Sequence, residues 1–385
     1  MNPNHFFEER IVPKLNAINP PPLPSLRKGV VIYGAGELGI LALNYFEACG
    51  IEVRGIIDQV KTGTFGSKKN CVPISSVEEA SKRWLSMDVP VAVAIAKMPF
   101  QPIVDLLRGN GWKTILPFYE FTRDQSLCHP LSNGWRLGEL EAKDMEGIRF
   151  ACRNWADVTS LFHFEAYIAW HASLEEKLST LHPIIENERY TIKPLLDFFR
   201  SRNYQFVDIG SHLGESIGRM SVSGVTFTEY ILIEPDRKSL AILEKSVSTL
   251  IPTNSNVRIF ENVVGSQTVT VKFADGFGYC SQIWKHGSEE RSAIKLDDMD
   301  LTPDFIKAHT EGTEFDVIEG AEKTIRENHP SLALAVYHNK SSLTCGIPRL
   351  MAKLPDYSWF FRLHSYQGTG AFMYGLPSNT RRGHR

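Results

Sequence analysis

Asp208-Ile209-Gly210-Ser211-His212-Leu213-Gly214 ends an apolar run with an acid and two glycines in G-x-x-x-G spacing. Glycine permits the tight turn out of a strand and lets a ligand approach the backbone. Glu234 ends the next apolar run, Tyr230 to Ile233. A carboxylate at that strand end can accept hydrogen bonds from both hydroxyls of a ribose. Pro235 adjoins it, and Asn262 and Val263 follow the third run, Val257 to Phe260, with Asn262 placed to meet an adenine edge. Ser211, His212 and Ser216 stand in the turn and the first turn of a helix, whose free N–H groups suit a carboxylate. A nucleoside, a carboxylate and close backbone approach are together what a methyl donor, S-adenosylmethionine, requires. Asp208, Gly210, Ser211, His212, Gly214, Ser216, Glu234, Pro235, Asn262 and Val263 are the expected cofactor-binding set.

His309, His338 and His364 each follow an apolar segment: Phe305-Ile306, Leu332 to Tyr337 and Trp359 to Leu363. Ligands of open α/β sheets sit at the carboxyl ends of strands, so three imidazoles are expected on one rim. Methyl transfer is an in-line displacement that gains from aligning the nucleophile with the methyl carbon. A hydroxyl nucleophile is also helped by a base. His309 or His338 is the expected base, with Glu311 orienting one of them and His364 beside them as a further catalytic candidate. No metal is assigned. A two-His-plus-carboxylate metal site from His309, Glu311 and His338 is the alternative use of the same side chains. Asp297 and Asp298 either stabilise a turn or face the acceptor.

A second glycine cluster, Gly34-Ala35-Gly36-Glu37-Leu38-Gly39, fits G-x-G-x-x-G between a strand and a helix. Gly34 allows the turn, Gly36 a close phosphate, and Gly39 helix–strand packing, while Asp58 ends the following strand where an acid would hold a ribose hydroxyl. A nucleotide site there and a scaffold whose glycines serve only turn and packing both remain open.

The elements that must position these residues alternate. Val30 to Tyr33, Val53 to Ile57, Val89 to Ile95 and Thr114 to Leu116 read as strands, with a helix from Glu37 to Cys49. Residues 134–202 carry helical periodicity and no good strand. From Gln205 the α/β alternation resumes: Phe206 to Ile209, Tyr230 to Ile233, Val257 to Phe260, Thr268 to Phe273, Phe305-Ile306 and Leu332 to Tyr337 are strands. A helix is expected over Glu314 to Asn328, and Trp359 to Leu363 with Ala371 to Tyr374 form a closing antiparallel pair. Strand–helix alternation implies parallel sheets covered on both faces.

A chain of 385 residues exceeds one ordinary core. The expected organisation is an arm (1–27) ending in Asn19-Pro20-Pro21-Pro22, a Rossmann-like unit (28–125), a helical connector (126–202), a second Rossmann-like unit of class I methyltransferase type (203–378) and a basic tail (379–385). The fold class is α/β. A net charge of -2 gives no field for nucleic acid. The six cysteines show no C-x-x-C spacing, and the first residues lack the basic and apolar regions of a signal peptide. No apolar run reaches the length of a membrane span. A cytoplasmic protein is expected, with the connector read first as packing between domains and, as alternatives, as the surface of a homo-oligomer or a cap over an active site.

Phe206 to Gly214, Ile233-Glu234-Pro235, Asn262 to Gly265, Ile294 to Met299, Phe305 to Ala321 and Leu332 to His338 resemble the FkbM-type methyltransferases over residues 190–375. The resemblance implies S-adenosylmethionine-dependent O-methylation of natural-product or carbohydrate hydroxyls. Gly34 to Gly39, Ile56-Ile57-Asp58 and Val72-Pro73-Ile74 resemble the N-terminal domains of bacterial polysaccharide-modifying proteins, which implies a carbohydrate acceptor. The family block reads K-x-D-x-E-G-x-E, whereas this chain has Lys307-Ala308-His309-Thr310-Glu311-Gly312-Thr313-Glu314, with His309 in place of the aspartate. The alternative is a binding protein of polysaccharide assembly that has lost transferase activity.

Overall fold

The computed structural model describes residues 2–19, 21–66, 71–123, 130–176, 178–199 and 204–378. The basic tail and Cys128 lie outside the described residues.

Val30-Val31-Ile32-Tyr33 is apolar on both faces, the pattern of a strand covered by helices on each side. It forms β1 (Val30–Tyr33), fully buried in a six-stranded sheet. β2 (Val53–Ile57), β3 (Gly63–Gly66), β4 (Cys71–Ser75), β5 (Val91–Val93) and β6 (Ile115–Pro117) complete it in the order β3-β4-β2-β1-β5-β6. Every pairing in that sheet is parallel except β3 with β4.

Past residue 204 come β7 (Gln205–Ile209), β8 (Glu229–Ile233) and β9 (Asn256–Phe260). A small sheet follows, built from β10 (Val263–Val264), β11 (Val269–Ala274), β12 (Gln282–Ile283) and β13 (Glu289–Ile294). Then come β14 (Phe305–Ala308), β15 (Ser331–Ala335), β16 (Tyr357–Leu363) and β17 (Ala371–Pro377). The seven-stranded sheet runs β16-β17-β15-β14-β7-β8-β9, with β17 antiparallel to both neighbours.

The helix expected over Glu314 to Asn328 breaks into Glu314–Glu319 and Glu322–Asn328. Gly320 lies at the break, where a Cβ would come 2.0 Å from the Gly265 carbonyl oxygen. Asp297 restarts the helix by accepting from the backbone N–H groups of Lys323 and Thr324. Asp298 accepts from Thr268 Oγ1. Both acids therefore hold turns, and neither lines the cleft described below.

The connector contributes the helices Ala142–Asn154 and Val158–Ser173. The second is buried along most of its length because it serves two cores. Tyr167 donates to the Val336 carbonyl beside β15, while Trp170 meets Phe100 edge-on. The N-terminal arm is helical over most of Pro3 to Asn16. Phe7, Ile11 and Leu15, spaced by four, bury in the same core as those connector helices. No helix among the described residues is long and apolar enough to cross a membrane.

Candidate active site

Both large sheets turn the carboxyl ends of their strands toward one cleft of about 820 Å³, within the range of small-molecule sites. Gly34 follows β1, Asp58 follows β2, Gly210 follows β7, Glu234 follows β8 and His309 follows β14. The two glycine loops, far apart in sequence, face the same space.

The turn after β7 is held by contacts that exclude a side chain. Gly210 has φ +70°, and a Cβ there would lie 2.0 Å from the His309 carbonyl oxygen. Gly214, at φ +84°, packs against Leu250 and Leu243. Asp208 is fully buried beneath the turn; its carboxylate lies 2.8 Å from Lys307 Nζ and accepts from Ser216 Oγ. Lys307 also donates to the Gly210 carbonyl at 2.6 Å. Asp208 and Gly214 therefore do not line the cleft, contrary to expectation. They shape the loop whose Gly210, Ser211, His212 and Ser216 do. Gly210→Ala is expected to cost more than about 2 kcal/mol, adding overpacking to left-handed alanine strain. Urea unfolding checks this, and an unchanged midpoint would refute it.

Glu234 is 6% exposed. Its Oε2 accepts from the His212 N–H at 2.6 Å and its Oε1 from the Asp236 N–H at 2.8 Å. Burial pushes its carboxyl up to about 7, against the pull of those two donors. Pro235, Asn262 and Val263 line the cleft beside it, and Asn262 is steadied by a bond to the Ser292 carbonyl.

At the first glycine loop, Gly34 (φ +113°) abuts Ile95, and a Cβ on Gly39 would meet the Gly34 carbonyl oxygen at 2.1 Å. Gly39 thus packs behind the loop and does not line the cleft. Gly36 does, and a Cβ there would touch nothing within 4 Å. Asp58 accepts from the N–H groups of Ala35, Val60 and Lys61, so its carboxylate ties the loop together.

On the opposite wall His309 is flanked by two phenols, with Nδ1 3.2 Å from Tyr190 Oη and Nε2 2.9 Å from Tyr337 Oη. Burial, then the nearby His338 and Lys307, holds its imidazole well below the usual range, so it is neutral. His338 behaves oppositely. It is 1% exposed and does not line the cleft. Its Nε2 lies 3.1 Å from Glu311 Oε1 and its Nδ1 2.8 Å from Glu314 Oε1. Burial alone would lower its pKa, but the two carboxylates prevail and push it up to about 10. A ring held cationic and out of reach of the cleft is not the base expected from its strand-end position. His364 is also set apart: it is buried, bonded to the Ile185 carbonyl and to Tyr374 Oη, and burial lowers its pKa to about 3. Its contact with the site is indirect, since Tyr374 Oη accepts from the Tyr190 N–H.

Arg189 and Tyr190 line the cleft without having carried any motif, and Lys307 and Tyr337, which stood within the resemblance blocks with no role assigned, line it too.

Solved structures extend the description. The methyltransferase FkbM from Methylobacillus flagellatus KT matches with TM-score 0.64 and 19% identity, over 97% of this chain and 93% of that one. The O-methyltransferase from Bacillus cereus in complex with SAH has TM-score 0.32 and 12% identity, over 63% of this chain and 93% of that one. No protein-family model and no curated protein matches the sequence. At 19% identity the first likeness is one of fold: this chain has a mixed α/β methyltransferase fold.

Proposed function

We propose that this chain transfers a methyl group from S-adenosylmethionine to a hydroxyl of a carbohydrate acceptor. The observation that carries the reading is Glu234, a buried carboxylate on the cleft wall, at the end of β8 and bonded to the glycine turn after β7. Each oxygen keeps a lone pair beyond its backbone bond, as two ribose hydroxyls require. Asn262 and Val263 flank the base, and Gly210, Ser211 and His212 form the wall for the amino-acid portion. S-adenosylmethionine supplies an activated methyl whose bond to sulfur breaks toward sulfur as the acceptor oxygen takes it. His309 and Glu311 face that oxygen. Tyr119, Asn133 and Tyr279 line the remaining space with phenol faces and an amide, which suit a polyol. Under this reading 28–125 and 203–378 are two domains joined by 126–202, and both contribute to one site.

Calorimetry with S-adenosylhomocysteine, and methyl transfer from labelled donor to a panel of mono- and oligosaccharides, test the reading. No binding would sink it. Binding with no transfer to any sugar would favour the alternative of a binding protein. The binding also carries a pH signature. Hydroxyl donors favour the ionised Glu234, so affinity is expected to be flat above about pH 7 and to fall about tenfold per unit below it. A flat profile between pH 5.5 and 8 (roughly this window) would separate Glu234 from the ligand.

A further inference from the structure

We propose that His309, Glu311 and His338 bind one divalent first-row transition-metal ion in the wall of the cleft. One ligand atom from each lies within 4.8 Å of the others. Glu311 Oε1 is 3.6 Å from His309 Nε2 and 3.1 Å from His338 Nε2. Atoms bonded to one such ion at about 2.0–2.2 Å lie about 3.0–3.5 Å apart at cis or tetrahedral angles. The two Glu311 contacts are already close to that, and the two imidazole nitrogens, within 4.8 Å of one another, must close by up to about 1.5 Å.

The atoms that would face away from the ion are already held. His338 Nδ1 is fixed by Glu314, which is itself anchored by the N–H groups of Thr310 and Gly312. His309 Nδ1 meets Tyr190 Oη, Glu311 Oε2 accepts from Ser132 Oγ, and His309 Nε2 would exchange its present contact with Tyr337 Oη for the ion. Metal-bound imidazoles and carboxylates are oriented by outer partners of this kind. Glu311 is also a non-glycine residue at φ +55°, a strained backbone that aims its side chain at the two imidazoles. Two carboxylates, Glu311 and Glu314, converge on one buried ring.

Two imidazoles and a carboxylate suit zinc, manganese, iron(II) or cobalt better than calcium or magnesium. His309 and Glu311 line the cleft, so the ion would keep an open side, as catalytic ions do. Its use rests on the methyltransferase reading, but the site itself does not. An acceptor hydroxyl on the open position would lose its proton more readily, to solvent in the cleft. The oxygen lone pair would then form the new bond to the methyl carbon while the carbon–sulfur pair stays on sulfur.

Titration of the chelator-treated full chain with Co²⁺, followed by its visible ligand-field absorption, tests the proposal. One Co²⁺ per chain is expected for wild type. Glu314→Gln, which removes an outer partner and no ligand, is expected to weaken binding by about 10–100-fold, and His309→Ala and Glu311→Gln by more. Absence of Co²⁺ uptake in wild type, or equal affinity in His309→Ala and Glu311→Gln, overturns the site. Melting temperature and S-adenosylhomocysteine binding, measured on each variant, show that the fold persists. Cobalt binding without S-adenosylhomocysteine binding would remove the donor reading and leave the metal site. The reverse result would remove the metal site alone.

Discussion

Glu234→Gln is expected to bind S-adenosylhomocysteine about 100-fold more weakly than wild type, from a loss of about 3 kcal/mol. Two effects add. The ribose hydroxyls lose a charged acceptor, and hydrogen bonds to charged groups contribute about 1.5–3 kcal/mol where neutral ones give about 1. The amide also turns its NH₂ toward either the His212 N–H or the Asp236 N–H, because the carboxylate accepts one from each oxygen. That leaves a donor in the glycine turn without a partner, or swings the amide out of register with the ligand. The measurement is calorimetry near pH 8, where the wild-type carboxyl, raised to about 7, is ionised. Thermal melting must show the variant folded. The variant is also expected to lose the fall in affinity below pH 7, because its titrating group is gone. Affinity equal to wild type would end the assignment of Glu234 to the donor.

What the sequence disclosed about this corner follows from how strands end. Apolar, β-branched runs such as Val30 to Tyr33 and Tyr230 to Ile233 announce buried strands, and polar residues just past them fall on the carboxyl rim. Gly210, Ser211, Glu234, Asn262 and His309 were legible for that reason, and all line the cleft. Position along a strand says nothing of which way the last side chain turns. Asp208 and His338 stand where rim residues stand, yet one is drawn under the loop by Lys307 and the other inward by Glu314. Their partners lie about 100 and 24 residues away, beyond the reach of local pattern. The meeting of the two glycine loops was hidden for a similar reason. It depends on the buried helix Val158–Ser173, and on Tyr366 and Gln367 donating to the Ala96 and Ile95 carbonyls after β5. The N-terminal helix did leave a pattern in Phe7, Ile11 and Leu15, which Pro13, set inside it, obscured.

Lys307→Met is expected to destabilise the folded protein by about 3–5 kcal/mol, the range for breaking a buried ion pair from one side. Parallel pairing of β14 with β7 sets Lys307 directly beside Asp208, and both side chains are buried. Methionine fills much of the lysine stem's volume, so the change isolates the charge. The Asp208 carboxylate would keep Ser216 Oγ but lose its counter-charge, and the Gly210 carbonyl would lose its donor. Chemical unfolding monitored by circular dichroism measures the loss. Asp208→Asn combined with Lys307→Met is expected to recover a large share of it, because no unpaired charge remains, and the two singles with the double form a cycle that isolates the pair. A single-variant cost under about 1 kcal/mol would mean that water reaches the pair and that it behaves as a surface one. The two variants also separate stability from binding. Neither restores the bond from Lys307 to Gly210, which steadies the turn that offers the His212 N–H to Glu234. The double variant should therefore fold well and still bind S-adenosylhomocysteine more weakly than wild type. That outcome would give Lys307 two duties, one through the Asp208 carboxylate and one through the glycine turn.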